Sequence, residues 1–271
     1  RGRPRAPSSL SRVRGGVDAG RARPRPGRPL TVRTAAILVI GDEVLSGEVV
    51  DANAPFLLAR LAALGARVVR TAAVRDVALD VVHEVRRMRA VADVVLVSGG
   101  IGPTHDDITR PAIAAALGVP LERHAAAVAH IRRWYGAATT EAELSMADLP
   151  RGSRLLHGAT TSALGFAVSA LYVFPGVPVL LRDLVEGSAA EFTGEPLHRA
   201  EVTTELREGE IAPALAALQA GALDVAIGSY PAMDAEGVWR TRIVVRSLDR
   251  ARAEAVAADV LEAFARITAG R

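Results

Sequence analysis

The 271-residue sequence contains no cysteine, which excludes disulfides, zinc–thiolate centres and cysteine nucleophiles. It contains no lysine either, so all 33 strongly basic residues are arginine. With Ala, Arg, Gly and Val abundant, that absence reads as GC-rich coding bias rather than chemistry. No apolar run approaches the roughly 20 residues needed to cross a bilayer, and the first residues lack the apolar core of a secretory signal. A soluble cytoplasmic protein, with no membrane partner, is therefore the expectation. Half of the residues are apolar, enough for a chain of this length to bury a core and to divide into two domains.

Acidic residues are scarce only at the start. Residues 1–33 hold ten arginines against the single acid Asp18, leaving 23 basic and 29 acidic side chains in residues 34–271. The isoelectric point near 10.1 thus belongs to a Pro/Gly/Arg-rich arm, and the rest of the chain is net acidic. Such an arm cannot form a core. It reads either as a nucleic-acid or membrane-surface arm or as a disordered extension, including one produced by an upstream translation start. Composition favours the extension.

From Thr34 onward the pattern is regular. Strands are expected over 35–40, 67–73 and 93–98, alternating with helices over 53–64 and 78–89. That alternation indicates βαβ units and a parallel sheet, whose ligands bind outside the carboxyl ends of the strands. Residues 124–149 read as two helices with Trp134 and Tyr135 between them. Short strands follow at 153–156, 165–169 and 171–174, then a helix to about Glu191. Beyond a boundary near 193–196, a strand (199–206), helix (210–220), two strands (224–228, 239–245) and a helix (250–267) make a small α+β unit, with Ser229 in the turn between its last two strands. The expected domains are therefore the arm (1–33), an α/β domain (34–193) and a small α+β domain (194–271).

Residues 94–109, VVLVSGGIGPTHDDIT, carry the most information. The apolar run Val94 to Val97 ends in Gly99, Gly100 and Gly102, followed by Pro103, Thr104 and Asp106-Asp107. Thr109 and Pro111 then open a helix that stops at Gly118. This is neither a Walker A loop nor a dinucleotide fingerprint. One reading is a tight strand-to-helix turn capped by Thr104 or Thr109. The other is a phosphate cradle at a helix N-terminus, with the two acids holding a divalent metal or doing acid/base work. Asp42-Glu43 and Asp76 follow the first two strands, so three strand ends deliver carboxylates to one sheet edge. The six histidines have no zinc spacing, and only His105 lies in the loop.

The ordered segments GDEVLSGEVVDAN (41–53), VRD (74–76), SGGIGPTHDDIT (98–109) and FPGVP (174–178) resemble the MoaB/Mog molybdopterin-binding family. Within it the chain looks most like its CinA-like branch, and like the corresponding domain of eukaryotic FAD synthases. The resemblance covers about 34–192 and extends, more weakly, through IGSYP (227–231). It implies a three-layer α/β/α domain with a mostly parallel sheet, followed by a small KH-like α+β domain. It also implies a molybdopterin or adenine dinucleotide ligand with its phosphates on the glycine loop.

The activities implied are metal-dependent pyrophosphate hydrolysis of ADP-ribose or FAD. The implied roles are Asp76, Asp107 and Asp42 in catalysis, and Asp106, Asp107 and Glu43 on a Mg²⁺, Mn²⁺ or Co²⁺ ion. Ser98, Gly99, Gly100, Gly102, Pro103, Thr104, Thr109 and Asn53 would hold the ligand, and association into dimers or trimers is a further implication. Thr161-Ser162-Ala163-Leu164-Gly165-Phe166 lacks the proline such proteins carry there, and Val74-Arg75 replaces the usual Val-Gly before Asp76. The amidohydrolase domain of longer CinA proteins is not in this sequence, so deamidation is not carried over. A non-hydrolytic pterin or nucleotide module is the alternative. Nucleic-acid binding ranks last, because residues 194–271 lack a G-x-x-G clamp and are not basic.

Overall fold

The computed structural model describes residues 34–158, 160, 163–235 and 237–270. The disordered arm expected over 1–33, and Thr161 and Ser162 of the variant motif, lie outside them. The first part of the chain runs β1 (Thr34–Ile40), α1 (Asp42–Ser46), α2 (Asn53–Ala63), β2 (Arg67–Val74), α3 (Ala78–Val91), β3 (Val94–Ser98) and α4 (Thr109–Leu117). It continues with β4 (Leu121–Arg123), α5 (Ala125–Tyr135), α6 (Glu141–Ser145), β5 (Asp148–Pro150), β6 (Arg154–Leu156), β7 (Gly165–Val168), β8 (Leu171–Phe174) and α7 (Pro178–Gly187).

A six-stranded sheet in the order β2-β1-β3-β8-β7-β6 forms the middle layer, parallel from β2 to β8 and antiparallel from β8 to β6. Successive side chains on a strand point to opposite faces, and here both faces are apolar. Ala36, Leu38, Ile40, Val95 and Val97 pack with Val81, Val85 and Met88 of α3 and Ile113 of α4. Ala35, Ile37, Val39, Val94 and Leu96 pack on the other side with Leu57 and Leu61 of α2 and Leu181 and Leu184 of α7. Each such fully buried Leu or Ile contributes about 1.5–3 kcal/mol relative to exposure. The result is a three-layer α/β/α domain, the architecture expected from the sequence.

The later part is β9 (His198–Thr204), α8 (Glu208–Gly221), β10 (Ala226–Met233), β11 (Trp239–Ser247) and α9 (Arg250–Ala269). Its antiparallel sheet, β10-β11-β9, buries Val202, Ile243 and Val245 against Val256, Val260 and Phe264 of α9, a core of its own. No helix among the described residues is long and apolar enough to cross a membrane.

Several elements differ from the sequence reading. Asp42 and Glu43 open a one-turn helix rather than a loop. Ser229 lies inside β10, paired with Ile243, not in a turn. Gly228 and Pro231 mask that strand in the sequence, but β10 is an edge strand, where proline costs no ladder bond. Trp134 and Tyr135 end α5 instead of separating two helices, because the helix stops only at Gly136, φ +72°. The helix expected to reach Glu191 ends at Gly187 and gives way to a 3₁₀ turn over Ala189–Phe192. The β4–β5 ladder was not anticipated; each strand has only three residues.

Candidate ligand site at the carboxyl edge of the sheet

The tips of β1, β2 and β3 meet because these strands are neighbours in parallel register. Gly41 N–H donates to the Val74 carbonyl at 3.2 Å, and Gly99 N–H donates to the Phe174 carbonyl at 3.1 Å. The chain at Gly99 takes φ +106°, and a Cβ there would lie 2.1 Å from the Ile40 carbonyl oxygen. Only glycine lets the loop pass so close to β1. Thr109, fully buried, hydroxyl-bonds the Gly99 carbonyl at 2.9 Å, and its N–H donates to the Gly100 carbonyl at 3.1 Å. The two bonds fasten the loop to the start of α4.

Asp107 supports the loop from inside. Its carboxylate accepts from Gly102 N–H (2.7 Å), Thr104 N–H (2.8 Å) and the Thr104 hydroxyl (2.5 Å). Those amides are therefore occupied. The N–H groups of Gly100 and Ile101 have no acceptor among the described residues, so they are the donors the loop offers to an anion. Behind the loop, buried Arg110 donates to the Gly102 carbonyl at 2.8 Å and to the Ser145 carbonyl, tying the glycine turn to α6. Replacing Asp107 by alanine removes three donors' acceptor at once. It is expected to loosen the turn and weaken binding of phosphate ligands by about ten-fold or more, since a hydrogen bond to a charged group contributes about 1.5–3 kcal/mol. Calorimetry with pyrophosphate checks this; unchanged affinity would show that the turn does not depend on Asp107.

Asp76, at the exit of β2, is the carboxylate that faces the loop. Its Oδ2 accepts from Asp42 N–H at 2.9 Å, and its Oδ1 lies 3.6 Å from where a Gly100 Cβ would stand. Partial burial raises its pKa above the ordinary aspartate value; the Asp42 N–H opposes this, and the charges of Glu43, Asp42 and Asp106 add to it. Glu43 folds its carboxylate over Gly41, where a Cβ would meet it at 2.6 Å. Asp106 is exposed at the loop's outer rim. Asp42, Glu43, Asp76 and Asp106 thus form one electrostatic cluster, while Asp107 is turned inward to the loop. Among the described residues no three His, Asp or Glu side chains converge on a metal position.

Asn53, buried at the start of α2, donates through Nδ2 to Ser98 Oγ (2.9 Å) and to the Gly176 carbonyl (2.7 Å). Its Oδ1 is buried without a partner among the described residues. It lines a recess of about 70 Å³ shared with Glu43, Ser98 and Gly99. Asp51, which the sequence reading passed over, holds this helix start by accepting from the N–H groups of Asn53 and Ala54 at 2.8 and 3.0 Å. The signal was there: an Asp two residues before a helix opening is an Asx turn. Pro103 lines a second, larger cleft of about 490 Å³ with Trp134, Tyr135 and Leu180.

A mostly parallel sheet between two helical layers, with a glycine turn at its carboxyl edge and carboxylates from three strand ends, defines the class: a three-layer α/β domain with a glycine-loop edge. The chain belongs to the family of the probable molybdopterin binding domain, whose model matches residues 36–194. Residues 196–269 match the middle domain of FAD synthase. A CinA-like protein of Anaeromyxobacter sp. (strain K) is 43% identical over 157 residues, 55% of this chain and 38% of that protein, so the match spans well under half of that relative's length. A protein of Aeropyrum pernix is 34% identical over 246 residues, 83% of this chain and 90% of the other. The crystal structure of the protein CinA, of unknown function, from Thermoplasma acidophilum aligns with a TM-score of 0.56 and 32% identity, covering 59% of this chain and 98% of that one.

Proposed function

We propose that the chain binds a nucleotide diphosphate ester at the glycine loop and hydrolyses its pyrophosphate bond, on a substrate of ADP-ribose or FAD type. The observation that carries this reading is the juxtaposition of Asp76 Oδ1 with the loop at Gly100, where two amides, Gly100 and Ile101, are left without acceptors. The amides take a phosphate oxygen and its developing charge. Asp76, hydrogen-bonded through Oδ2 and open at Oδ1, accepts a proton from the attacking water. The water oxygen bonds to phosphorus as the bridging oxygen departs with the second phosphate.

Hard oxygen donors suit a divalent cation, and magnesium needs only one or two carboxylates when phosphate oxygens complete its shell. Glu43 and Asp106, beside Asp76, are the carboxylates that would hold it; Asp107 already carries three loop donors. When bound, such an ion supplies Lewis acidity to the phosphates. The inward commitment of Asp107, whose carboxylate is taken up by Gly102 and Thr104, favours a second reading, a module that holds molybdopterin or a nucleotide without turnover.

The test is incubation of the full chain with ADP-ribose, FAD and NAD, each with Mg²⁺, Mn²⁺ or Co²⁺, following AMP release, alongside calorimetry with the same ligands. AMP formation supports hydrolysis. Tight binding without AMP from any pair refutes it in favour of the module.

A further inference from the structure

We propose that the cleft at the amino edge of the main sheet, at the opposite end of the strands from the glycine loop, is a second ligand site. Its ligand is a small amphipathic anion, one carboxylate or phosphate head on an apolar body. The cleft, about 640 Å³, lies where the first domain meets the second. Its floor is fixed by the linker between them. Gly65, in the turn between α2 and β2, takes φ +80°, and a Cβ there would stand 2.7 Å from the Gly194 carbonyl oxygen. Gly194 N–H in turn donates to the Leu64 carbonyl at 2.8 Å. The linker is thus pinned to that turn, with α2 and β2 on one side of the cleft and the start of β9 on the other.

Two independent observations set the ligand's chemistry. The first is apolar: Leu58, Leu197 and Leu248 are 40, 43 and 59% exposed, yet all three line this one cleft. Single exposed leucines are ordinary, but three converging on a concave site mark a binding surface. The second is charge. Nearby strand arginines are paired: Arg70 with Glu84, Arg240 with Glu205 and Arg242 with Glu201. Arg67 and Arg199, at the starts of β2 and β9, both line the cleft, and neither has an ion pair or hydrogen-bond partner among the described residues. Arg199 also stands directly opposite Arg246 in the β9–β11 ladder, a like-charge pairing that destabilises a sheet. Arg246 turns to the Tyr230 hydroxyl at 2.8 Å, which leaves Arg199 uncompensated. Glu195 is the one acid lining the cleft among the described residues, so two positive charges face one negative charge. That balance suits a single anionic head and disfavours a polyphosphate. Guanidinium forks grip carboxylate or phosphate oxygens, while the leucines take the apolar body. Because one arginine belongs to each domain, a head held by both ties the domains together.

The probes are octanoate and octyl phosphate, each kept below its micelle concentration and titrated calorimetrically into the full chain. Saturable binding is expected, and the tighter of the two identifies the head. Affinity should rise from butanoate to octanoate by up to about four-fold per methylene, as burial of each CH₂ predicts. Octanol, which lacks the charge, should bind about ten-fold more weakly than octanoate, or worse. Arg67→Gln and Arg199→Gln should each weaken the tighter probe by about ten-fold or more, the loss of a charge-assisted hydrogen bond. Their combined effect should fall short of the product of the two, because both grip one head. Without probe the variants should melt as the parent does, as surface substitutions generally do. Saturating probe should raise the melting temperature of the parent but not of the double variant. Failure of both probes to bind, octanol binding as tightly as octanoate, or unchanged probe affinity in either arginine variant overturns the site. Arg67 and Arg199 lie outside the glycine loop, so none of these outcomes bears on the phosphate reading.

Discussion

Asp76→Asn is expected to lower kcat for pyrophosphate hydrolysis by about 10²–10⁴, the contribution of a positioned general base, with binding of the substrate retained. Asparagine keeps the carbonyl oxygen that accepts the Asp42 N–H, so the β1 and β2 tips remain joined. It removes the charge that partial burial and three neighbouring acids disfavour. The variant should accordingly melt at the same temperature as the parent at neutral pH, or higher. Linkage sets the sign. A carboxyl whose folded pKa lies above its unfolded value of about 3.9 binds protons more tightly when folded, so it costs stability as pH rises through that interval. In metal-free buffer the parent should lose more stability than Asp76→Asn between pH 4 and neutrality; identical pH profiles would contradict the raised pKa. Activity runs the other way, because only ionised Asp76 takes a proton. Glu43→Gln removes one of the charges holding that pKa up, and should move the acid limb of the rate profile to lower pH. An activity in Asp76→Asn equal to the parent's would remove Asp76 from the chemistry altogether.

The strands and glycine stops of the sheet were legible because they are driven by composition. β1 and β3 are unbroken apolar runs, as strands buried on both faces must be, and Gly118 ends α4 in the left-handed region. The meeting of three acidic strand ends followed from parallel order alone. What could not be read was the partner of each polar atom. Asp106 and Asp107 are adjacent and identical in sequence, yet one lies at the exposed rim and the other spends its carboxylate on Gly102 and Thr104. That choice is made by the turn's curvature, which Gly100 at φ +65° and Arg110's grip on the Gly102 carbonyl set together. The unpartnered Oδ1 of Asn53 depends on Ser98 and Gly176, 45 and 123 residues away. Likewise Trp134 has a core residue's periodicity; only the fold reveals that the core ends before it.

The largest expected loss of stability comes from Gly99→Ala, and a second glycine separates its two causes. Gly99 and Gly118 both have positive φ, +106° and +70°. At Gly118 an added Cβ meets nothing within 4 Å, so alanine there bears only the left-handed backbone cost, about 1–2 kcal/mol. At Gly99 the same methyl would stand 2.1 Å from the Ile40 carbonyl oxygen, a backbone atom held in the centre of the sheet. Nothing flexible can yield. Relief requires β1 and β3 to separate at their tips, which breaks the register at Val39–Ser98 and moves the Asp42–Asp76 contact. Strain and overpacking together cost about 2–6 kcal/mol, a large share of the 5–15 kcal/mol available to a typical domain. Chemical denaturation of both variants should therefore place Gly99→Ala well below Gly118→Ala. Gly99→Ala should also lose phosphate binding even where it remains folded, because the amides of Gly100 and Ile101 move with the turn. Comparable midpoints for the two variants would mean that β1 and the loop are not in the contact that aligns the site.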